Sequence, residues 1–301
     1  MRRRAILAAL AGMGSAGCRS TPPPGVKIDP ALAMMTPETA VALAGVKMDA
    51  IRKTEVYRRH REAKDWDRFS KDTGLDLRTD VWELLVVFEP SGWVAMARGK
   101  FSPGFGGMEP RVLEGAPRTF YRGYTIIGNE RASTVFVNSS TALAGAGTAV
   151  RGLLDRRAAS RGIPPALEEQ IRNLPPGAAI WIASAARLGG LPIPLEGNWA
   201  NFNRIVESIQ AGWLGVELSN GVEVSARGTC ATEQDARGLH DAMRGLIGLG
   251  RLTTPASQSE LLRLYDSIQV GRREREVTLS AVVPPDLDDA GIGYIRPLMI
   301  R

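Results

Sequence analysis

Two stretches of the chain repeat each other, and this repeat limits the folds that the chain can adopt. The stretch WELLVVFEPSGWVAMARGKF (82–101) aligns without gaps with AGWLGVELSNGVEVSARGTC (211–230), and six of the twenty positions are identical. Each copy contains an apolar run, a turn that ends in glycine and a second β-rich run, which is typical of a β-hairpin. The repeat predicts two related halves, each built around one hairpin.

The segments around the second hairpin predict a mixture of strands and helices. AAIWIASAA (178–186) has the pattern of a strand and NFNRIVESIQ (201–210) that of a helix. A second helix begins at Thr232, where Asp235 completes a capping-box pattern. A further helix and the alternating strand EVTLSAVVP then complete a β-α-β-β-α-β order, which is ferredoxin-like. The first half has a similar but weaker pattern, with a long charged helix from about 50 to 73.

These patterns predict an α+β fold with two tandem ferredoxin-like (βαββαβ) halves. The predicted hairpins would bury Leu85 and Val87 in the first half and Leu214 and Val216 in the second, while Cys230 would be buried at a strand end. The predicted segments are a signal peptide (1–17), a tether (18–35), a first α+β domain (36–160), a linker helix (161–177) and a second α+β domain with a C-terminal tail (178–301).

The N-terminus has the organisation of an export signal. Three arginines precede an apolar run that ends near Met13, which is too short to span a bilayer. The following residues, SAGC, resemble the lipobox of bacterial lipoproteins, and that resemblance implies a lipid on Cys18 and a protein exposed in the cell envelope. Ser15 stands where the lipobox usually has leucine, so an ordinary secretory signal cut near Ala16, or an N-terminus that is not exported, remains an alternative.

The next residues, RSTPPPGVKIDP, are polar and rich in proline, which is typical of an extended tether between an anchor and a domain. The formal charge of +6 includes the three arginines of the signal, and without them 35 basic residues face 32 acidic ones, which leaves +3. This weak excess does not favour nucleic-acid binding. We expect a membrane contact through the N-terminal lipid instead, and a protein or a small anionic molecule as ligand.

The phrase TGLDLRTDVWEL (73–84) precedes the first hairpin. With the paired halves, it resembles a group of uncharacterised exported bacterial proteins that are built from tandem ferredoxin-like halves. The resemblance would cover most of the mature chain. It implies the fold and export, and it implies no active site.

Candidate catalytic and metal-binding patterns are incomplete. The glycine loop GAGTAVRG (145–152) lacks the spacing of a dinucleotide fingerprint. Of the two histidines, His60 has no ligand-type neighbour at metal-binding spacing, and His240 has only Asp241, which we expect to point around the helix. The acidic segment PPDLDDAGIGY (284–294) does not match a calcium loop. We therefore predict no catalytic residue, metal or cofactor, with a carboxylate-based envelope hydrolase in a cleft between the halves as the alternative.

The most specific binding hypothesis concerns an arginine that the repeat retains. Arg98 and Arg227 are aligned, and Trp93 and Trp213 lie in the same two hairpins. Paired arginines could bind an anion between the halves, whereas the alternative is that they form structural ion pairs. We predict that the two sheets approach each other or form one layer, with a ligand along their shared edge near these four residues. The predicted function is that of a membrane-tethered, non-enzymatic binding module.

Overall fold

The computed structural model describes residues 25–60, 67, 76, 78–101, 115–187 and 207–283. Twelve strands lie within these ranges: β1 Ala42–Lys47, β2 Val81–Glu89, β3 Gly92–Gly99, β4 Arg118–Tyr121, β5 Tyr124–Gly128, β6 Ser133–Asn138, β7 Thr141–Gly145, β8 Ala178–Ser184, β9 Ile209–Glu217, β10 Val222–Cys230, β11 Gln269–Arg273 and β12 Glu276–Val283. They form one sheet in the order β11-β12-β10-β9-β8-β1-β2-β3-β7-β6-β5-β4. The prediction of a mixed α+β fold is confirmed.

The described helices are α1 Pro30–Met35, α2 Met48–Ile51, α3 Glu55–His60, α4 Gly147–Arg156, α5 Pro165–Asn173, α6 Glu233–Thr253 and α7 Ser259–Ser267, with a 3-10 turn at Arg157–Ala159. The predicted capping box of α6 is confirmed, because the Thr232 side chain accepts from the Asp235 amide and the Asp235 side chain accepts from the Thr232 amide. The predicted linker helix is α5, which buries Leu167 and Ile171. In the described part of the chain, no helix has the length and apolar character needed to cross a bilayer.

The sheet contains the same five-stranded unit twice. The first unit has the order β1-β2-β3-β7-β6 and the second has the order β8-β9-β10-β12-β11, and the units meet where β1 pairs with β8. The ferredoxin-like order is not confirmed, since it would insert the first strand of each half between the third and the last. Here β3 pairs directly with β7 and β10 with β12, while β1 and β8 join the halves. The two predicted domains therefore share one continuous sheet.

Both predicted hairpins are confirmed, but the register between the two strands of the second hairpin is shifted by one residue relative to that of the first. Leu85 lies opposite Met96, whereas Leu214 lies opposite Ala226, although the repeat aligns Met96 with Ser225. The cause is a longer second turn: Glu89 pairs with Gly92, but Glu217 pairs with Glu223. A slip of one residue turns side chains to the other face of a sheet.

This slip explains the different burial of the aligned leucines. Leu85 is 0% exposed and Val87 1%, so their predicted burial is confirmed. Leu214 is 36% exposed, so the prediction that it is buried is wrong, and Val216 is half-buried.

The two faces of the sheet have separate hydrophobic cores. We call front the face that carries Leu43, Val87, Val94 and Leu143, and back the opposite face. Helices α1, α4 and α5 cover the front of the first unit, of β8 and of part of β9, where Trp213 packs against the same core. Helix α6 covers the back of the second unit, where Cys230 is 1% exposed, as predicted for a buried strand end. On the front of the second unit, Thr278 and Ser280 are exposed, and no described helix packs over them.

Three predicted elements differ from the structure. The long charged helix is interrupted between Ile51 and Glu55, and most of its remainder lies outside the described residues. The helix predicted for 201–210 lies largely outside them too, but its end is the start of β9, at Ile209. The segment TFYRGYTIIG (119–128), which has the β-rich composition of a single strand, forms the hairpin β4–β5. Arg122 and Gly123 form its turn with φ values of 48° and 86°, as a two-residue hairpin loop requires.

Candidate functional site

Arg98 is held by contacts within the fold. Its Nε lies 3.2 Å from Oδ2 of Asp29, and its Nη1 donates to the Ser140 carbonyl at 2.9 Å, to Ser140 Oγ at 2.7 Å and to Thr141 Oγ1 at 2.6 Å. Only 19% of the side chain is exposed. The alternative in which Arg98 is a structural ion-pair residue therefore describes it better than a ligand contact does.

Asp29 belongs to an extended segment that we call the strap, residues Gly25–Asp29. The strap crosses the front face, where Val26 and Ile28 pack into the core. Gly25 lies so close to Ile171 that an added Cβ would sit 2.1 Å from its carbonyl oxygen. The Asp29 amide donates to Glu83 Oε1 at 3.1 Å. Burial raises the pKa of Glu83, although that hydrogen bond opposes the shift.

Arg227 has a different environment on the open part of the front face. It lies opposite Trp213, and its Cζ is 5.9 Å from the centroid of the indole ring, which is a cation–π distance. Its Nη1 is 3.7 Å from Oε2 of Glu276, and its side chain is 39% exposed. The Nε of Arg227 and the Nε1 of Trp213 are buried donors that have no hydrogen-bond partner among the described residues. Buried donors are nearly always paired, so two adjacent unpaired donors mark this position as a candidate site for an acceptor.

Trp181 carries another unpaired indole N–H in the described part of the chain, but in a different setting. Its side chain is 2% exposed, and its ring lies against Gly45, where an added Cβ would be 2.2 Å away. Because Trp181 is enclosed in the front core, its role is in packing.

The four predicted site residues do not form one site. Trp213 and Arg227 are neighbours, whereas Trp93 and Arg98 lie on β3, four strands away from β9 in the sheet. Four strand spacings correspond to about 19 Å. Trp93 is 44% exposed and lies next to Val94 in the strand, so it points to the back while Arg98 points to the front. The prediction of one continuous layer is correct, but the shared edge near all four residues is not formed.

A pair of carboxylates lies on the same open face as Arg227. Glu217 and Glu223 are directly opposite on β9 and β10. Burial, and secondarily the negative charge of Glu223, raise the pKa of Glu217. Such a pair can share a proton or a cation. It belongs to one hairpin, so it is not the pair between the halves that the sequence suggested.

The remaining sequence candidates have structural contacts or lie outside the described residues. The Gly147 amide, at the start of α4, donates to the Glu130 carbonyl at 3.0 Å. His240 Nδ1 is 2.8 Å from Asp241 Oδ1, so the expectation that Asp241 points away is wrong. The acidic segment 284–294, Cys18 and the side chain of His60 are outside those residues. Within the described ranges, no three His, Cys, Asp or Glu side chains are grouped to hold a metal.

Sequence reasoning missed the strap, although one signal was present. Asp29 precedes Pro30, and its side chain caps α1 by accepting from the Ala31 amide at 2.8 Å. An aspartate before a proline is a typical helix start. The pairing of Asp29 with Arg98 spans 69 residues, and no local pattern carries such information.

No family model matches the sequence, and no curated protein does. Among solved structures, chains of TP0453 are similar in three crystal forms. Crystal form I has a TM-score of 0.46 and 11% sequence identity, and the match covers 89% of this chain and 98% of the TP0453 chain. Form III has a TM-score of 0.49 and 8% identity, with coverages of 87% and 97% in the same order. Form IV has a TM-score of 0.43 and 11% identity, with coverages of 88% and 96%. A likeness at this level carries no functional argument.

Proposed function

We propose that the protein is a non-enzymatic binding protein of the bacterial cell envelope, tethered to a membrane by a lipid on Cys18. The export-like N-terminus and its SAGC sequence support the anchor. The order of the five strands in each half supports an origin by duplication from one unit, which also agrees with the proposed relation to exported proteins with tandem halves. The finer ferredoxin-like description has no support from the strand order.

The ligand surface is the open front of the second unit around Trp213 and Arg227. One observation carries this assignment: Trp213 and Arg227 lie directly opposite each other in the sheet, and each has a buried donor, Nε1 and Nε respectively, without a partner in the described part of the protein. An anion that brings two acceptor oxygens would satisfy both, and its charge would be complementary to the guanidinium. We therefore assign an anionic ligand to this surface.

Titration with citrate, followed by tryptophan fluorescence and by calorimetry, tests this assignment. We expect saturable binding that Arg227→Gln weakens about tenfold or more, since hydrogen bonds to charged groups are worth about 1.5–3 kcal/mol. Trp213→Phe keeps a ring but removes the donor, so it should also weaken binding. The matched controls are Arg131→Gln, in an exposed turn, and Trp93→Phe, on the back face. Equal effects of the site and control variants would refute the assignment.

The anchor has a separate test. Mass spectrometry of the N-terminal peptide from the native protein should show a mature chain that begins with an acylated Cys18. Stable anchoring requires more than one acyl chain, so the mass should include several. An intact Met1, or an unmodified Cys18 in the membrane fraction, would contradict the anchor.

The alternative of an envelope hydrolase has one supporting observation, the Glu217–Glu223 pair with its raised Glu217 pKa. Two neighbouring carboxyl groups, one of which has a raised pKa, are the arrangement that carboxylate-based hydrolases use. Hydrolysis of a chromogenic glycoside panel that is lost in Glu217→Gln and retained in Glu168→Gln would favour this alternative. Glu168 is a suitable control because it is exposed on α5.

A further inference from the structure

Arg98 and Arg227 occupy equivalent positions in the two halves. Each lies on the front face of the third strand of its unit and has a threonine opposite on the next strand, Thr141 for Arg98 and Thr278 for Arg227. The repeat also aligns the two arginines in sequence. The first half therefore shows what kind of contact this position can make.

In the first half, an extended segment of polypeptide binds at this position. The strap residue Asp29 places its carboxylate 3.2 Å from Nε of Arg98 and donates its amide to Glu83, which lies opposite Arg98 in the sheet. Asp29 thus contacts Arg98 through its side-chain carboxylate, and it contacts the Glu83 side chain on the neighbouring strand through its backbone amide.

In the second half, the surroundings of the equivalent arginine, Arg227, differ from those of Arg98 in two respects. Nε of Arg227 has no partner among the described residues, and Trp213 stands opposite Arg227 where the first half has Glu83 opposite Arg98. The side chain that could contact the backbone of a bound segment has therefore changed from the carboxylate of Glu83, an acceptor, to the indole N–H of Trp213, a donor. A segment that binds here needs a carboxylate for Arg227 and a carbonyl oxygen for Trp213, and an aspartate or glutamate in an extended peptide supplies both.

We propose that the open front face of the second half binds an extended peptide segment of a partner protein, and that this segment carries an aspartate or glutamate. The side-chain carboxylate pairs with Arg227, and a backbone carbonyl accepts from Trp213 Nε1. The proposal rests on the proposed function, because it names the ligand class of the same surface. The unpaired Nε of Arg227 and the seating of the strap at the equivalent position favour this occupant.

Fluorescence polarisation of a labelled peptide with the sequence GVKIDPAL, which is that of the strap and the start of α1, tests the proposal on the intact protein. We expect saturable binding, and about a tenfold or greater loss when asparagine replaces aspartate in the peptide. Arg227→Gln should cause a similar loss against the aspartate peptide and little further loss against the asparagine peptide. Trp213→Phe should weaken both peptides, and Arg131→Gln should weaken neither.

Any one of the following outcomes would overturn the proposal. Equal binding of the aspartate and asparagine peptides, or an unchanged affinity in Arg227→Gln, would remove the carboxylate–Arg227 contact. Citrate binding without peptide binding would reject the peptide but keep the proposed anion surface, whereas the absence of both would reject both. If the peptide binds only after truncation behind Val283, the occupant is the chain's own C-terminal segment and not a partner.

Discussion

The substitutions Leu85→Ala and Leu214→Ala should lower the free energy of unfolding by different amounts, although the repeat aligns these two residues. Leu85 is 0% exposed in the front core, and Leu214 is 36% exposed on the back. The one-residue difference in hairpin pairing places them on opposite faces. The comparison tests whether the pairing or the sequence alignment describes the molecule.

The expected losses follow from burial. Leu85→Ala removes a fully buried side chain and leaves a cavity, which costs about 3 kcal/mol. Leu214→Ala removes about 2.4 kcal/mol of transfer free energy at full burial, so its partial burial gives about 1.5 kcal/mol without a cavity. At about 2–4 °C per kcal/mol for a chain of this size, the melting temperatures should fall by about 6–12 °C and 3–6 °C respectively.

Thermal melts of the chain without residues 1–17, followed by circular dichroism, measure both losses. Urea midpoints provide an independent check, and an unchanged m-value would confirm that each variant changes stability alone. Equal losses for the two variants, or a larger loss at Leu214, would refute the different pairing of the second hairpin.

Four other substitutions test local features. Gly45→Val should cost about 1–3 kcal/mol in a thermal melt, because a Cβ would lie 2.2 Å from the Trp181 ring; an unchanged melt would contradict this packing. Burial raises the pKa of Glu83, so its contribution to stability is full below the unfolded-state pKa and is lost as pH rises through the folded-state pKa. Wild type should therefore lose more stability than Glu83→Gln between pH 4 and 7, and parallel pH profiles would be evidence against this. Arg98→Gln should cost about 2 kcal/mol through its lost charged hydrogen bonds, whereas the partly exposed Arg227→Gln should cost less than about 1 kcal/mol; similar losses would contradict the difference between the two sites.

Local patterns in the sequence predicted the elements that depend on local physics. Both hairpins, the capped helix α6 and the linker helix α5 were correct, since turn residues, caps and apolar spacing act over a few positions. Strand order was not predictable in this way. The same strand patterns allow β8 to pair with β1 or to lie between β10 and β12. The choice depends on contacts between strands that can be more than a hundred residues apart in the sequence, as β1 and β8 are.

The candidate site was predicted in part. The repeat identified Arg98 and Arg227, and the prediction that Trp213 lies near Arg227 is confirmed. The different roles of the arginines could not be predicted, because Arg98 is paired by Asp29 from a distant segment. Trp93 was misplaced since the sequence does not show how many strands separate two hairpins.

The junction of β1 and β8 has a consequence for any attempt to dissect the molecule. A fragment that ends before Ala178, or one that begins there, would leave one of these strands as a new sheet edge with unpaired amides and carbonyls. Exposed edges recruit other strands, so such fragments should self-associate and not behave as free monomers.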